Sequence, residues 1–180
     1  MSLYSIKQYR DEVEKIIHYG GTKKETAIRS AFYTLLNEYA KAKGLMLITE
    51  VSIMGTKGRN VTPDGVLKDT LRQDRGYWES KDEADVLADE IKKKFDKGYP
   101  KDNILFEDSQ TAILIQNGAE VLRASIEDTE DFDHLLTTFV TFERPEVKNF
   151  RKAIELFKED IPKVTETLRT LILEQEKNNT

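Results

Sequence analysis

Apolar side chains recur every three or four positions in the first 44 residues, a spacing that predicts two amphipathic helices. The first is predicted over about residues 4–18, with a Gly-Gly pair after it. The second is predicted to follow Thr22 and to end at Gly44, because Thr22 and Glu25 have the spacing of a capping box. Each helix should therefore pack one face against a larger part of the protein.

From residue 45 onward the pattern shortens to runs typical of strands, rich in branched and aromatic residues and separated by polar turns. Strands are predicted over residues 45–53, 61–67, 77–81, 103–106, 111–116 and 120–126. One helix, over about residues 83–97, interrupts them and stops at Gly98. Asn117-Gly118 lies between the last two runs and is a strong signal for a two-residue hairpin.

The C-terminal third returns to helical spacing. Helices are predicted over residues 131–142 and 146–157, and a last one starts near Pro162, a residue that the first turn of a helix tolerates. Helices on both sides of a stretch of strands predict the α/β class, with a mixed central sheet flanked by helices. We predict a single domain over residues 1–180, made of N-terminal helices (1–44), a sheet core (45–126) and C-terminal helices (127–180).

The amino-acid composition limits the kinds of catalytic and metal-binding site that this chain can form. The chain has no cysteine, and His18 and His134 lie far apart, which excludes thiol chemistry and the usual zinc ligand sets. A metal would have to be bound by oxygen atoms, which favours hard ions such as Mg²⁺ or Mn²⁺. The formal net charge of −5 counts against strong nucleic-acid binding by this domain alone, since phosphate affinity comes from Lys and Arg. Without a long apolar run or a signal peptide, a cytoplasmic protein or an excised domain of one is expected.

Two carboxylates and a lysine form the most informative pattern. Asp64 follows a proline on one predicted strand, and Glu79 and Lys81 lie on the next. Because strand side chains alternate, Glu79 and Lys81 project to one side and Trp78 to the other. If the two strands pair, Asp64 lies beside Glu79. Close carboxylates repel unless a cation lies between them, so the pair predicts a divalent-ion site, with Lys81 placed to orient water and stabilise charge.

These residues resemble the signature of the PD-(D/E)xK nuclease superfamily, with Pro63-Asp64 on one strand and Glu79-Ser80-Lys81 on its neighbour. Further stretches are similar to the N-terminal nuclease domain of large single-chain restriction–modification enzymes. They are residues 76–82, 97–100, 103–108 and 114–118. The resemblance covers most of the chain and implies a restriction-endonuclease-like core with helical extensions at both ends.

The resemblance implies a Mg²⁺-dependent DNA endonuclease of the restriction type, in which Asp64, Glu79 and Lys81 are catalytic and Mn²⁺ can replace Mg²⁺. Its expected partners are double-stranded DNA and the methyltransferase and target-recognition domains that grip DNA in the larger enzymes. Those domains would explain the acidic charge of this one, and no membrane partner is expected. Two alternatives stay open: a non-catalytic DNA-binding or assembly module of the same fold, and a repair or recombination nuclease acting on branched DNA.

Three other polar residues are candidates around the site. Glu50 matches an acidic residue that many superfamily members carry on the preceding strand and could be a third metal ligand, although such a strand end is often only solvated. Glu25 could support the metal ligands from its helix, or only complete the capping box and pair with Arg29 one turn later. Gln116 could reach the site from its strand end, or form a hydrogen bond within the hairpin.

Lysines make one dense basic patch near the end of the predicted helix 83–97. Its members are Lys92, Lys93, Lys94, Lys97 and Lys101. Lys92, Lys93, Lys97 and Lys101 are candidates for contacts with DNA phosphates beside the cleavage site. The alternative is that these lysines complement the helix dipole and stay solvated.

Overall fold

The computed structural model describes residues 2–21, 25–82 and 86–178. They form two compact units, the first ending at Phe142 and the second beginning at Glu143. The sheet core predicted for residues 45–126 lies wholly in the first unit, while the single domain predicted for the whole chain stays a prediction. None of the helices in the described ranges is long and apolar enough to cross a membrane.

Helices flank a central run of strands, as the hydrophobic pattern predicts. The helices are α1 (Ser2–Gly20), α2 (Glu25–Ala42), α3 (Leu87–Lys97), α4 (Thr129–Thr141) and α5 (Pro145–Asn178). The strands are β1 (Met46–Thr49), β2 (Ile53–Met54), β3 (Asn60–Val61), β4 (Gly65–Lys68), β5 (Asp74–Ser80), β6 (Asn103–Glu107), β7 (Thr111–Gln116) and β8 (Ala119–Ser125).

Six strands form one mixed sheet in the order β1-β4-β5-β6-β7-β8, and β2 and β3 form a separate small sheet. Strands β5 and β6 are parallel and are connected through α3, whereas their neighbours pair antiparallel. The turn between β7 and β8 is the predicted Asn117-Gly118 hairpin, with positive φ values of 52° and 81°. The predicted α/β class with a mixed central sheet is confirmed.

A hydrophobic cluster covers each face of the sheet. One contains Phe32 and Trp78 and packs against α1, α2 and α4. The other contains Tyr77 and Tyr99 and packs against α3 and the β2–β3 hairpin. Consecutive residues of β5 enter opposite clusters because strand side chains alternate between faces. Glu79 therefore shares the face of Tyr77, under α3, while the large Trp78 side chain anchors the strand from the other side.

Two of the predicted strands are interrupted. The run 45–53 breaks after Thr49, because Glu50 adopts a left-handed backbone conformation with φ of 56°. The run 61–67 breaks around Pro63, which has no amide hydrogen to donate to a sheet ladder. The break separates the small sheet from β4 and leaves Asp64 just before the first residue of β4.

The C-terminal helices differ from the prediction. Instead of a helix over 146–157 and another from Pro162, one continuous helix, α5, has Pro162 inside it. Proline removes one helical hydrogen bond, but the strong helix formers on both sides, mostly Leu, Glu and Lys, favour continuation.

The predicted helix over 83–97 is confirmed from Leu87 onward, and residues 83–85 lie outside the described part of the chain. The proposed capping residue Thr22 also lies outside the described part. Helix α3 ends as predicted at Gly98, which adopts the left-handed conformation with φ of 95°. This glycine starts the turn that carries Tyr99 under the helix.

Candidate active site

Strands β4 and β5 place Asp64 opposite Glu79. The antiparallel register pairs Gly65 with Trp78. When the same register is continued by one residue, Asp64, just before β4, lies opposite Glu79 of β5. The Ser80 amide donates a hydrogen bond of 2.9 Å to Asp64 Oδ2, which continues the contact past the end of β4. Gly65 permits this approach, since a Cβ there would lie 2.8 Å from the Trp78 ring. Opposed side chains in such a pair are about 5 Å apart at Cβ on one face.

Glu79 is buried, with 1% of its side chain exposed, and it pairs with two ammonium groups through one oxygen. Lys81 Nζ lies 3.2 Å from Glu79 Oε2, and Lys94 Nζ of α3 lies 2.5 Å from the same atom. Glu79 Oε1 has no hydrogen-bond partner among the described residues. A buried carboxylate oxygen without a donor is unfavourable, so Oε1 is placed to accept a further cation.

Asp64 is held from two directions. Arg29 Nη1 of α2 lies 2.8 Å from Asp64 Oδ1, and the Ser80 amide occupies one acceptor position of Oδ2. The Asp64 side chain is 18% exposed, so it also faces solvent. A carboxylate oxygen accepts more than one interaction, and both oxygens of Asp64 keep further acceptor capacity.

Tyr99 connects the two parts of the site. Its hydroxyl donates to the Thr62 carbonyl oxygen at 3.0 Å and accepts from Lys94 Nζ at 3.1 Å. Burial raises the pKa of the Tyr99 hydroxyl, and the Glu79 and Asp64 carboxylates raise it further. The hydroxyl therefore stays protonated at neutral pH, and its environment includes both carboxylates.

The residues present fit a hard divalent ion. Glu79 Oε1 is buried without a hydrogen-bond partner in the described structure, and Asp64 lies opposite it with solvent access. Carboxylate oxygens are the ligands that Mg²⁺ prefers, usually one or two of them with water and phosphate oxygens completing the shell. The described ranges contain no group of three or more His, Cys, Asp or Glu placed to hold an ion. Glu50 is exposed and is not brought into a three-ligand group with Asp64 and Glu79.

Of the other sequence candidates, Gln116 lies away from this pair, and the Glu25 side chain lies outside the described part of the structure. Glu25 is the first residue of α2. Gln116 donates to Asn103 Oδ1 at 3.0 Å, at the end of the strands opposite to Glu79. The structure thus does not bring Gln116 to the carboxylates, because its register position pairs it with Asn103 at the start of β6.

The candidate phosphate-binding lysines are exposed on or near α3. Lys93 pairs with Glu90 at 2.6 Å, and Lys101 lies over the Phe95 ring at 4.7 Å. Lys92 and Lys97 are exposed. Their contact with DNA phosphates stays a prediction.

Sequence reasoning missed two cations of the site. Arg29 appeared only as a helical partner of Glu25, and Lys94 only as one lysine of the basic patch. A signal for Lys94 was present: it is three residues after Ile91 and one before Phe95, the two apolar residues that α3 packs against the sheet. Arg29 similarly follows the buried Ile28. Such positions border a buried helix face, but the partner they meet depends on how the helices dock.

A second buried carboxyl group lies on the other face of the same strands. Glu107, the β6 partner of Ser80, is 1% exposed and accepts a hydrogen bond from the Ser109 amide at 3.0 Å. Its Oε1 makes no hydrogen bond of regular geometry with the described residues, although the Trp78 indole and the Ser80 hydroxyl lie near the carboxyl group and partly offset the effect of burial on its pKa. Burial raises the pKa of Glu107 to about 7, from the usual 4.5.

This pKa predicts an unusual dependence of stability on pH. Between about pH 4.5 and 7 the folded protein binds the Glu107 proton and the unfolded chain loses it, so the free energy of unfolding should fall as the pH rises. Glu107→Gln should remove up to about 3 kcal/mol of that decrease, measured by urea denaturation from pH 4.5 to 8. The exposed Glu38→Gln is the matched control. An identical pH profile in Glu107→Gln and the wild-type protein would contradict the prediction.

The fold and the paired strands define the class of structure: a restriction-endonuclease-like core, with Asp64 just before β4 and Glu79 on the paired strand β5. Among solved structures, a chain in a cryo-EM structure of a DrdV–DNA complex is 51% identical to this chain, covers 93% of it and superposes with a TM-score of 0.85. This similarity confirms the resemblance and the fold class predicted from the sequence.

The similarity is confined to part of the larger molecule, since this chain spans 16% of the length of the DrdV chain. A DUF820 protein from Anabaena variabilis is only distantly similar: it is 13% identical, with 66% of this chain and 82% of that chain covered and a TM-score of 0.41. No family model matches the chain, and no curated protein sequence matches it.

Proposed function

We propose that this chain is the DNA-cleaving domain of a restriction system, a Mg²⁺-dependent endonuclease that hydrolyses phosphodiester bonds in double-stranded DNA. The observation that carries the proposal is the position of Asp64, one residue beyond the Gly65–Trp78 pair and hydrogen-bonded to the Ser80 amide, beside the buried Glu79, with Lys81 Nζ 3.2 Å from the Glu79 carboxylate. A carboxylate pair with an adjacent lysine suits phosphodiester hydrolysis, because the carboxylates can hold a metal ion and the lysine can stabilise negative charge on the phosphate.

Each residue has a distinct task in this proposal. Asp64 and Glu79 would hold Mg²⁺, with Mn²⁺ as a substitute, and Glu50 remains a candidate for a further ligand. The ion would neutralise charge on the phosphate and lower the pKa of water. Lys81, with 10% of its side chain exposed, orients the attacking water and stabilises the negative charge that develops on the phosphate. Arg29 holds Asp64 in place through the contact of 2.8 Å.

The substrate proposal rests on the DrdV likeness and on charge. The similar region of DrdV belongs to a protein seen in complex with DNA. With a net charge of −5, this domain would depend on methyltransferase and target-recognition domains, in the same polypeptide or a complex, for most of its DNA affinity. A cytoplasmic location agrees with this proposal and stays a prediction.

A cleavage assay tests the proposal. The purified protein, at low salt to compensate for its acidic charge, is incubated with supercoiled plasmid in Mg²⁺, in Mn²⁺ or in chelator. Nicked and linear DNA should appear only with the metals, and linear duplex should be cut at least as fast as a four-way junction. Preferential cleavage of the junction would instead favour a repair or recombination nuclease.

Mn²⁺ calorimetry covers the case in which the domain needs its partners for DNA affinity. Binding of Mn²⁺ that is lost in Glu79→Gln would support a metal site even in an inert preparation. If neither cleavage nor Glu79-dependent Mn²⁺ binding is observed, the nuclease proposal is wrong and a non-catalytic module is the better interpretation.

A further inference from the structure

The Glu79 carboxylate has its two oxygens in different environments. Both ammonium contacts are made at Oε2, which lies 2.5 Å from Lys94 Nζ and 3.2 Å from Lys81 Nζ, and neither oxygen accepts a hydrogen bond of regular geometry from the described residues. One side of the carboxylate therefore already carries positive charge supplied by the chain itself. Only the other side is left for an ion.

Lys94 is built into this position. Its side chain is 17% exposed, its Nζ donates to the Tyr99 hydroxyl at 3.1 Å, and it lies 4.6 Å from the centre of the Tyr99 ring. The Lys94 carbonyl oxygen accepts a hydrogen bond from the Tyr99 amide at 3.2 Å. Side-chain and backbone contacts with one buried tyrosine hold the ammonium group toward Glu79, unlike a solvated lysine that only complements a helix dipole.

The charges around the pair weigh against a second divalent ion. Asp64 and Glu79 supply two negative charges, and three cationic side chains contact them: Arg29, Lys81 and Lys94. A second divalent ion would need another carboxylate, and no group of three potential ligands exists in the described ranges. It would also be repelled by the ammonium group already at Glu79 Oε2.

We propose that Lys94 takes the place of a second metal ion. In this inference, which rests on the proposed nuclease function, Asp64 and Glu79 would hold one divalent ion. Lys94 remains at Glu79 Oε2 and supplies a fixed positive charge to the phosphate that is cut. Lys94 is then a second lysine of the site, contributed by α3 rather than by the strand that carries Lys81.

Mn²⁺ titration by calorimetry, without DNA, tests the inference. The wild-type protein should bind one Mn²⁺ per chain. In Lys94→Met, which keeps the apolar stem beside Tyr99, Mn²⁺ should bind roughly tenfold more tightly because a repelling cation is removed. Lys94→Glu should bind two Mn²⁺ per chain, since it exchanges the ammonium group for a carboxylate ligand. Lys94→Arg should keep one ion per chain.

Lys41→Met is the matched control: the same change of charge at an exposed helix position, on α2, should leave Mn²⁺ affinity and stoichiometry unchanged. Circular dichroism verifies that each variant is folded. In the cleavage assay Lys94→Met should be at least about tenfold slower at saturating metal despite its tighter Mn²⁺ binding. A merely structural role would not produce tighter metal binding together with slower cleavage.

The outcomes separate this inference from the proposed function. Two Glu79-dependent Mn²⁺ ions in the wild-type protein would overturn the inference and leave the nuclease proposal intact. Equal Mn²⁺ affinity in Lys94→Met and Lys41→Met would also overturn only the inference. Absence of any Glu79-dependent Mn²⁺ binding would overturn both.

Discussion

Glu79→Gln should reduce Mg²⁺-dependent DNA cleavage by about a thousandfold or more, and Asp64→Asn should do the same. Each change keeps the size of the side chain and removes one of the two negative charges that would hold the ion. The measurement is the rate of plasmid nicking at saturating Mg²⁺, combined with Mn²⁺ affinity from calorimetry.

The two variants differ in the burial of the substituted side chain, so they should differ in stability even though both lose activity. Glu79 is buried beside two lysines, so its loss also leaves Lys81 and Lys94 without their partner and should lower stability. Asp64 is 18% exposed, so Asp64→Asn should leave the fold nearly as stable as the wild type while abolishing activity.

Glu50→Gln is the informative comparison for these variants, because Glu50 is acidic, exposed and not grouped with the pair. Wild-type cleavage by Glu50→Gln would remove Glu50 from the set of candidate ligands. Wild-type cleavage by Asp64→Asn, in contrast, would refute the assignment of the active site itself.

Trp78→Ala should destabilise the first compact unit by about 3–5 kcal/mol, the second large effect expected. Trp78 is fully buried and stacks against Phe32, with ring centres 5.4 Å apart and planes inclined by 19°. Its removal would leave a large cavity between β5 and α2, and the total stability of a domain this size is only about 5–15 kcal/mol. Urea denaturation followed by circular dichroism measures the loss, since Trp78 is the only tryptophan and its fluorescence disappears with it.

A matched aromatic truncation at the surface provides the control. Tyr19 is 84% exposed, and Tyr19→Ala should change the free energy of unfolding by less than about 0.5 kcal/mol. Because Trp78 directly precedes Glu79, the Trp78→Ala variant should also lose cleavage activity at temperatures where it still folds. A stability equal to that of Tyr19→Ala would show that β5 is not anchored through this side chain.

The shared origin of the two effects is the alternation along β5. One residue fills the core and the next carries the chemistry, so the rigidity of the core is transmitted to the carboxylate. The three cations that contact the acidic pair come from α2, α3 and the end of β5, so their positions depend on the packing of both faces of the sheet.

The sequence alone predicted the features that depend on neighbouring residues, namely side-chain orientation along β5 and the positions of turns. Strand alternation predicted Glu79 and Lys81 on one side of the strand and Trp78 on the other. In the structure Glu79 and Lys81 contact each other, and Trp78 lies in the hydrophobic core. The Asn117-Gly118 turn and the stop of α3 at Gly98 were also determined locally, because few residues adopt positive φ without strain. These features depend on neighbours in the chain, so a single sequence is enough to predict them.

Features that join distant segments were decided by the tertiary structure alone. Arg29 and Lys94 meet Asp64 and Glu79 only because α2 and α3 dock at particular angles against the sheet, which no local pattern records. The left-handed conformation of Glu50 likewise divides a run that alternation alone would continue, because the chain there leaves the large sheet for the small one. Side-chain periodicity specifies which face a residue occupies, whereas the partner across that face depends on the packing of the whole unit.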